Sequence, residues 1–270
     1  MSKPKVKGVC RLCLEPAELR KSHIIPKFIW RDSGLVGANK NYSVTCVSDP
    51  RYSESNRQDG FKEDLLCAEC EGKFSRLESY IKPKIDGAIS RSVSRPQGHF
   101  IWTGWDYAKT KLFQLSLVWR MAISSLPIYS AVELGKHEET IRRMLFKEDP
   151  GEPWRYGCAS VLLAHHGKPL PDVFSQPERF RFKRQNGYRF IVAGMLWFMF
   201  VSSHRSAHFP QHYFLSQLGE WPMFVGEFND FEFLRDQIDL LRLFTDESGR
   251  PIKPEKPDHT KASSRDKPAR

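Results

Sequence analysis

A chain of 270 residues, 40 % of them apolar or aromatic with seven Trp and 19 Phe, can bury one large core or two smaller ones, which excludes a disordered or fibrous protein. The formal net charge of +10 argues for polyanionic partners, nucleic acid first, because each phosphate met by Lys or Arg releases a counterion. No secretory leader is expected, since the first apolar residues are scattered among Lys3, Lys5 and Lys7. No membrane span is expected either, because the most apolar run (190–202) falls short of the about 20 residues a bilayer requires, so a cytoplasmic protein is anticipated.

The first segment, 1–95, opens with lysines and carries two Cys-x-x-Cys pairs, Cys10/Cys13 and Cys67/Cys70. In a reducing compartment these are metal ligands rather than disulfides. Each pair forms a tight knuckle whose two sulfurs reach one ion, and two knuckles complete a tetrahedron of thiolates for a structural Zn2+. The long chain between Cys13 and Cys67 is then an insert stapled at both ends. Four thiolates close the coordination shell, so this ion is expected to hold the fold and not to catalyse. Cys46 and Cys158 are left over and read as small buried hydrophobes.

Between and after the knuckles lie Ser22-His23-Ile24-Ile25-Pro26 and the string LLCAECEGKFSRLE, residues 65–78, with Glu71 directly after Cys70. In the order CxxC, HIIP, LLCxxC, residues 9–80 resemble the HNH endonuclease family. The resemblance implies an α+β protein with an N-terminal zinc-stapled ββα-metal (HNH-like) domain. It implies His23 as general base on the attacking water, a role suited to a side chain titrating near neutrality. It further implies that Glu71, on a helix beside the second knuckle, helps hold Mg2+ or another divalent cation separate from the zinc. Ser22 stands where the family has an acidic residue or His, and Glu71 where it has Asn or His. Asp59 or Asp64 is then open as a further ligand, and Asn56 as the residue orienting His23. Arg57, Lys62 and Lys73 are candidates to position a phosphate backbone.

A composition shift near Arg95-Pro96-Gln97-Gly98 marks a second domain, 96–245, of mixed α and β structure. Asp106 reads as an N-cap, and Leu112, Leu115, Trp119, Ala122 and Leu126 recur at helical spacing up to Pro127. A second helix is expected over 138–146 and a buried strand over 158–165. Phe180, Phe182, Tyr188, Phe190 and Val192 alternate with basic residues about Asn186-Gly187, which predicts a hairpin turning there and a strand running on toward Val201. Arg181, Lys183 and Arg189 would form its positive face for nucleic acid. His165, His166, His204 and His208 are read as structural. A last helix is expected over 230–244, followed by a disordered basic tail, 246–270.

Together these readings predict a metal-dependent endonuclease hydrolysing phosphodiester bonds, DNA favoured over RNA, of the kind found among phage-defence effectors. A partner protein or activator acting on the second domain is a further expectation. The competing reading, from a different class, is a catalytically inactive zinc-dependent module that binds nucleic acid or protein.

Overall fold

The computed structural model describes residues 6–31, 44–46, 60–92, 98–170, 173–205 and 211–235. Strands β1 (Val6–Val9), β2 (Pro16–His23) and, further along, β4 (Lys62–Cys67) form an antiparallel three-stranded sheet in the order β1-β2-β4. The β2–β4 register slips between Arg20 and Lys21, leaving Leu65 as an extra residue. That bulge explains why two successive strand residues, Leu65 and Leu66, are both buried, and it frees the Leu65 carbonyl to accept from the Arg11 N–H at 3.0 Å. Between β2 and β4 lie a short helix, α1 (Lys27–Arg31), and a short strand, β3 (Val44–Cys46).

Helix α2 (Ala68–Ser92) follows β4 without a break and buries Cys70, Phe74, Ile81 and Ile85, spaced along one face. Strand β5 (Gly98–Trp102) leads to α3 (Tyr107–Ile123), whose N-cap Asp106 accepts from the Lys109 N–H at 3.0 Å. The predicted cap is therefore observed. The helix stops three residues short of the expected Leu126, because Glu63 binds the end: its carboxylate accepts from the Ser125 N–H at 3.0 Å and from the hydroxyls of Ser124 and Ser125. Pro127 opens a 3-10 turn instead. Helix α4 (Lys136–Lys147) brackets the predicted second helix.

Strands β6 (Cys158–His165), β7 (Lys168–Pro169), β8 (Val173–Ser175), β9 (Glu178–Phe182), β10 (Gln185–Val192), β11 (Met195–Phe200) and β12 (Trp221–Glu227) complete the β structure. Six strands run β5-β12-β6-β11-β10-β9, with β7 beside β6, while β8 pairs in parallel with β3. A short helix, α5 (Glu232–Arg235), ends the described chain. The 236–244 part of the predicted last helix and the predicted tail lie outside the described residues. No described helix is long and apolar enough to cross a membrane.

Strand alternation assigns the two faces of the large sheet. Phe190, Val192, Met195, Trp197 and Met199 join the main apolar cluster, whereas Ile191 and Leu196 point to a smaller one with Phe228 and Leu234. The main cluster runs without interruption from Cys10 and Phe74 through Trp119 to Trp197 and Met223. The segments on either side of residue 95 thus share one core, and the composition shift there does not separate two.

Two turns differ from expectation. The β9–β10 chain reverses at Lys183-Arg184, both with left-handed φ (44° and 69°), not at Asn186-Gly187. A second reversal at Ala193-Gly194 (φ 55° and 67°) splits the single strand expected to run toward Val201 into β10 and β11. Aromatic packing sets this register. Gly187 sits opposite Phe180, whose ring packs edge-on to Phe198 and Phe200 at 5.6 and 5.2 Å. A Cβ on residue 187 would meet the Phe180 ring at 2.7 Å and collide with the Met199 carbonyl oxygen, so the glycine serves close packing and not a turn.

Candidate metal centre and the corner beside it

Cys10 directly follows β1 and Cys13 lies in the turn after it. Cys67 ends β4 and Cys70 occupies the first turn of α2. Their four sulfurs lie within 4.8 Å of one another. The Cys13 and Cys67 sulfurs are 4.0 Å apart, close to the roughly 3.8 Å edge of a tetrahedron with 2.3 Å metal–sulfur bonds. Backbone also points into the cluster, since the Cys67 N–H donates to the Cys10 sulfur at 3.3 Å. Burial raises the Cys10 thiol, but N–H groups of Cys13, Cys67 and Leu12 outweigh it and bring the group to about 7. Burial and the neighbouring sulfurs raise the Cys70 thiol. Four thiols so crowded need a cation to be deprotonated together, and the cluster is suited to one metal ion. It is the sole group of three or more such ligands among the described residues.

The rest of the protein grips this cluster from outside. Arg142 of α4 donates to the Leu12 carbonyl inside the first knuckle, while Glu139 holds its guanidinium at 2.6 and 2.9 Å. Lys73 of α2 donates to the Phe146 carbonyl at 2.9 Å and lies over the Phe146 ring. Lys73 is therefore engaged in helix–helix contact rather than presented to a phosphate backbone. Cys158 is buried in β6 and pushed up to about 12 by that burial, as fits an inert apolar thiol.

Next to the metal cluster, the end of β2 meets the start of α2. Ser22 is fully buried in this corner. Its hydroxyl donates to the Arg20 carbonyl at 3.4 Å. Alternation turns the His23 side chain to the other face of β2, beside its cross-strand neighbour Lys62. Its Nε2 is buried. His23 meets the Ser22/Glu71 side through its backbone instead: the carbonyl accepts from Arg120 Nη1 at 2.8 Å. Burial holds the Glu71 carboxyl above its ordinary range, with Glu78 adding to the effect, while Ser22 and Arg120 pull it down.

Arg120 and Glu78 were not singled out by sequence reasoning. Both had a signal: an Arg inside the apolar run of α3, and an acid seven residues after Glu71 on the same helix face. Asp64 is half-buried in β4. Asn56, Arg57 and Asp59 lie outside the described residues. The hairpin cations are divided by the observed register. Arg181 shares a face with Arg179, whereas Arg189 lies on the aromatic face, bonded to Glu178 at 2.9 Å and stacked on Phe233 at 3.6 Å. A single positive face containing Arg189 is thus not formed. Arg181 is exposed, and Lys183 and Arg184 form the exposed tip.

The divalent cation implied by the motif does not fit the described residues. Glu78 is engaged at 2.8 Å by Arg120, and the field of the same guanidinium acts on Glu71, so positive charge is already present in the corner. No protein-family profile, curated protein or solved structure matches this chain.

Proposed function

We propose that this chain is a zinc-stapled nucleic-acid-binding protein, in which the four cysteines hold a structural Zn2+ and the HNH-like corner is a structural joint. The single observation carrying this reading is the 2.8 Å ion pair between Arg120 and Glu78 beside Glu71: the corner that would hold a catalytic cation already contains a positive charge of the protein's own. Four thiolates match zinc in ligand softness and number. Nucleic acid is favoured by the net charge of +10 and by the exposed cations Arg181, Lys183 and Arg184, with DNA preferred to RNA.

A second reading, metal-dependent hydrolysis of phosphodiester bonds in the manner of an HNH endonuclease, is favoured by one arrangement. Two antiparallel strands and a helix carry His23 and Glu71 to the same corner, beside the cysteine cluster. One experiment separates the two. Zinc-loaded wild type and His23→Ala are incubated with supercoiled plasmid, single-stranded DNA and RNA, with Mg2+, Mn2+ or Ni2+ and with none. Binding that weakens steeply with salt, without cleavage, is the expected result. Cleavage by wild type that His23→Ala abolishes would establish the hydrolase and overturn the binding reading.

A further inference from the structure

The corner beside the metal cluster contains a cation of its own. Arg120 enters from α3, its side chain 2 % exposed, and reaches across the boundary between the two halves of the chain. Its Nη1 donates to the His23 carbonyl and to Glu78 Oε1, both at 2.8 Å. Nε donates to the Ser116 carbonyl at 3.3 Å, Nη2 reaches the Ser116 hydroxyl at 3.4 Å, and the Phe74 ring lies 5.1 Å below the guanidinium carbon. Glu71 lies in its field. Two carboxylates, two backbone carbonyls and one hydroxyl thus surround one buried guanidinium.

Those five groups are hard oxygen donors, the set that Mg2+ or Mn2+ selects. We propose that Arg120 is the resident cation of this corner, a side chain occupying by covalent attachment the place that a divalent ion takes in the fold the motif resembles. Leaving Glu71 and Glu78 together in a buried site without a cation would be costly, and the guanidinium offsets that cost at every metal concentration. A second cation cannot join it, because two positive charges a few ångströms apart repel strongly where solvent is excluded. The inference rests on the strand–strand–helix placement of His23, Glu71 and Glu78 and not on nucleic-acid binding, so its test contains no nucleic acid.

Zinc-loaded protein is titrated with Mn2+, and bound ion is counted by electron paramagnetic resonance. Wild type is expected to show no site that Glu71→Gln removes. Arg120→Ala opens a space lined by the same oxygens and is expected to bind one Mn2+ at least tenfold more tightly than wild type, the gain being lost in Arg120→Ala/Glu71→Gln. Arg120→Lys, which keeps the charge, is expected to gain nothing. Should Arg120→Ala not fold alone, restoration of its thermal transition by millimolar Mn2+ or guanidinium supports the same assignment. A Glu71-dependent Mn2+ site in wild type, a folded Arg120→Ala with no gain, or an unfolded one that neither cation restores would each overturn it.

Discussion

Lys111 Nζ lies 2.6 Å from the carbonyl oxygen of Tyr156 and 3.3 Å from that of Pro153, with the residue only 2 % exposed. No carboxylate faces it among the described residues, and burial lowers the amine to about 7, with Cys158 opposing slightly. Between pH 7 and the usual lysine range the unfolded chain therefore binds the proton that the folded chain releases. Stability from this site rises with pH across that window and is lost as pH falls through it. We expect wild type to gain about 2 kcal/mol relative to Lys111→Met between pH 7 and pH 9. Urea midpoints of both proteins at the two pH values decide it, and parallel changes would refute it.

Removing one thiolate should do far more than remove one side chain. Cys67→Ser or Cys70→Ser is expected to abolish stoichiometric zinc, and a strong chelator should do the same to wild type. Zinc held by such ligands contributes on the order of 10–16 kcal/mol in small peptides, so either change should lower the melting temperature by well over ten degrees. Cys158→Ala should retain full zinc. Metal analysis together with calorimetry checks both statements.

The register of the β9–β10 hairpin predicts opposite outcomes at adjacent residues. Gly187→Ala places a methyl group against the Phe180 ring and the Met199 carbonyl, and should cost about 2 kcal/mol or more. Asn186→Ala, at an exposed strand position, should change stability by less than about 0.5 kcal/mol. A turn at Asn186-Gly187 would instead make both residues sensitive, and chemical denaturation distinguishes the cases.

The hairpin cations should separate in the same way in binding. Arg181→Ser with Lys183→Ser is expected to reduce the slope of log K against log salt by nearly 2, one counterion per lost phosphate contact. Arg189→Ser is expected to leave that slope unchanged and to destabilise the protein, because it removes the Glu178 bond and the stack on Phe233. Fluorescence anisotropy on labelled DNA over a range of salt concentrations measures the first, and thermal melting the second.

What could be read from the sequence was whatever depends on local chemistry. The two knuckles need only the cysteine spacing, the Asp106 cap needs only one side chain, and the buried strand 158–165 needs only its apolar run; all three are observed. The hairpin turn was misplaced because Asn-Gly is a strong local turn signal, whereas the register is decided by Phe180 meeting Phe198 and Phe200 one strand beyond its own pairing partner. Arg120 was passed over for a similar reason. Its meaning depends on Glu78 and the His23 carbonyl, 42 and 97 residues away along the chain, and no local pattern announces such a meeting.

The position of β5 also orders the protein's assembly in time. Its strand partner is β12, more than a hundred residues later, and β12 in turn pairs in parallel with β6. Both cysteine knuckles leave the ribosome ahead of β5, whereas β5 waits for β12. At about 5–20 residues per second that delay is several seconds or longer. Throughout it β5 is an unpaired edge, open to wrong partners. Chains stalled with residue 205 outside the exit tunnel should hold zinc yet be cut by protease near 98–102, and chains stalled past residue 235 should resist. Early protection of that segment would show that β5 has another partner during synthesis.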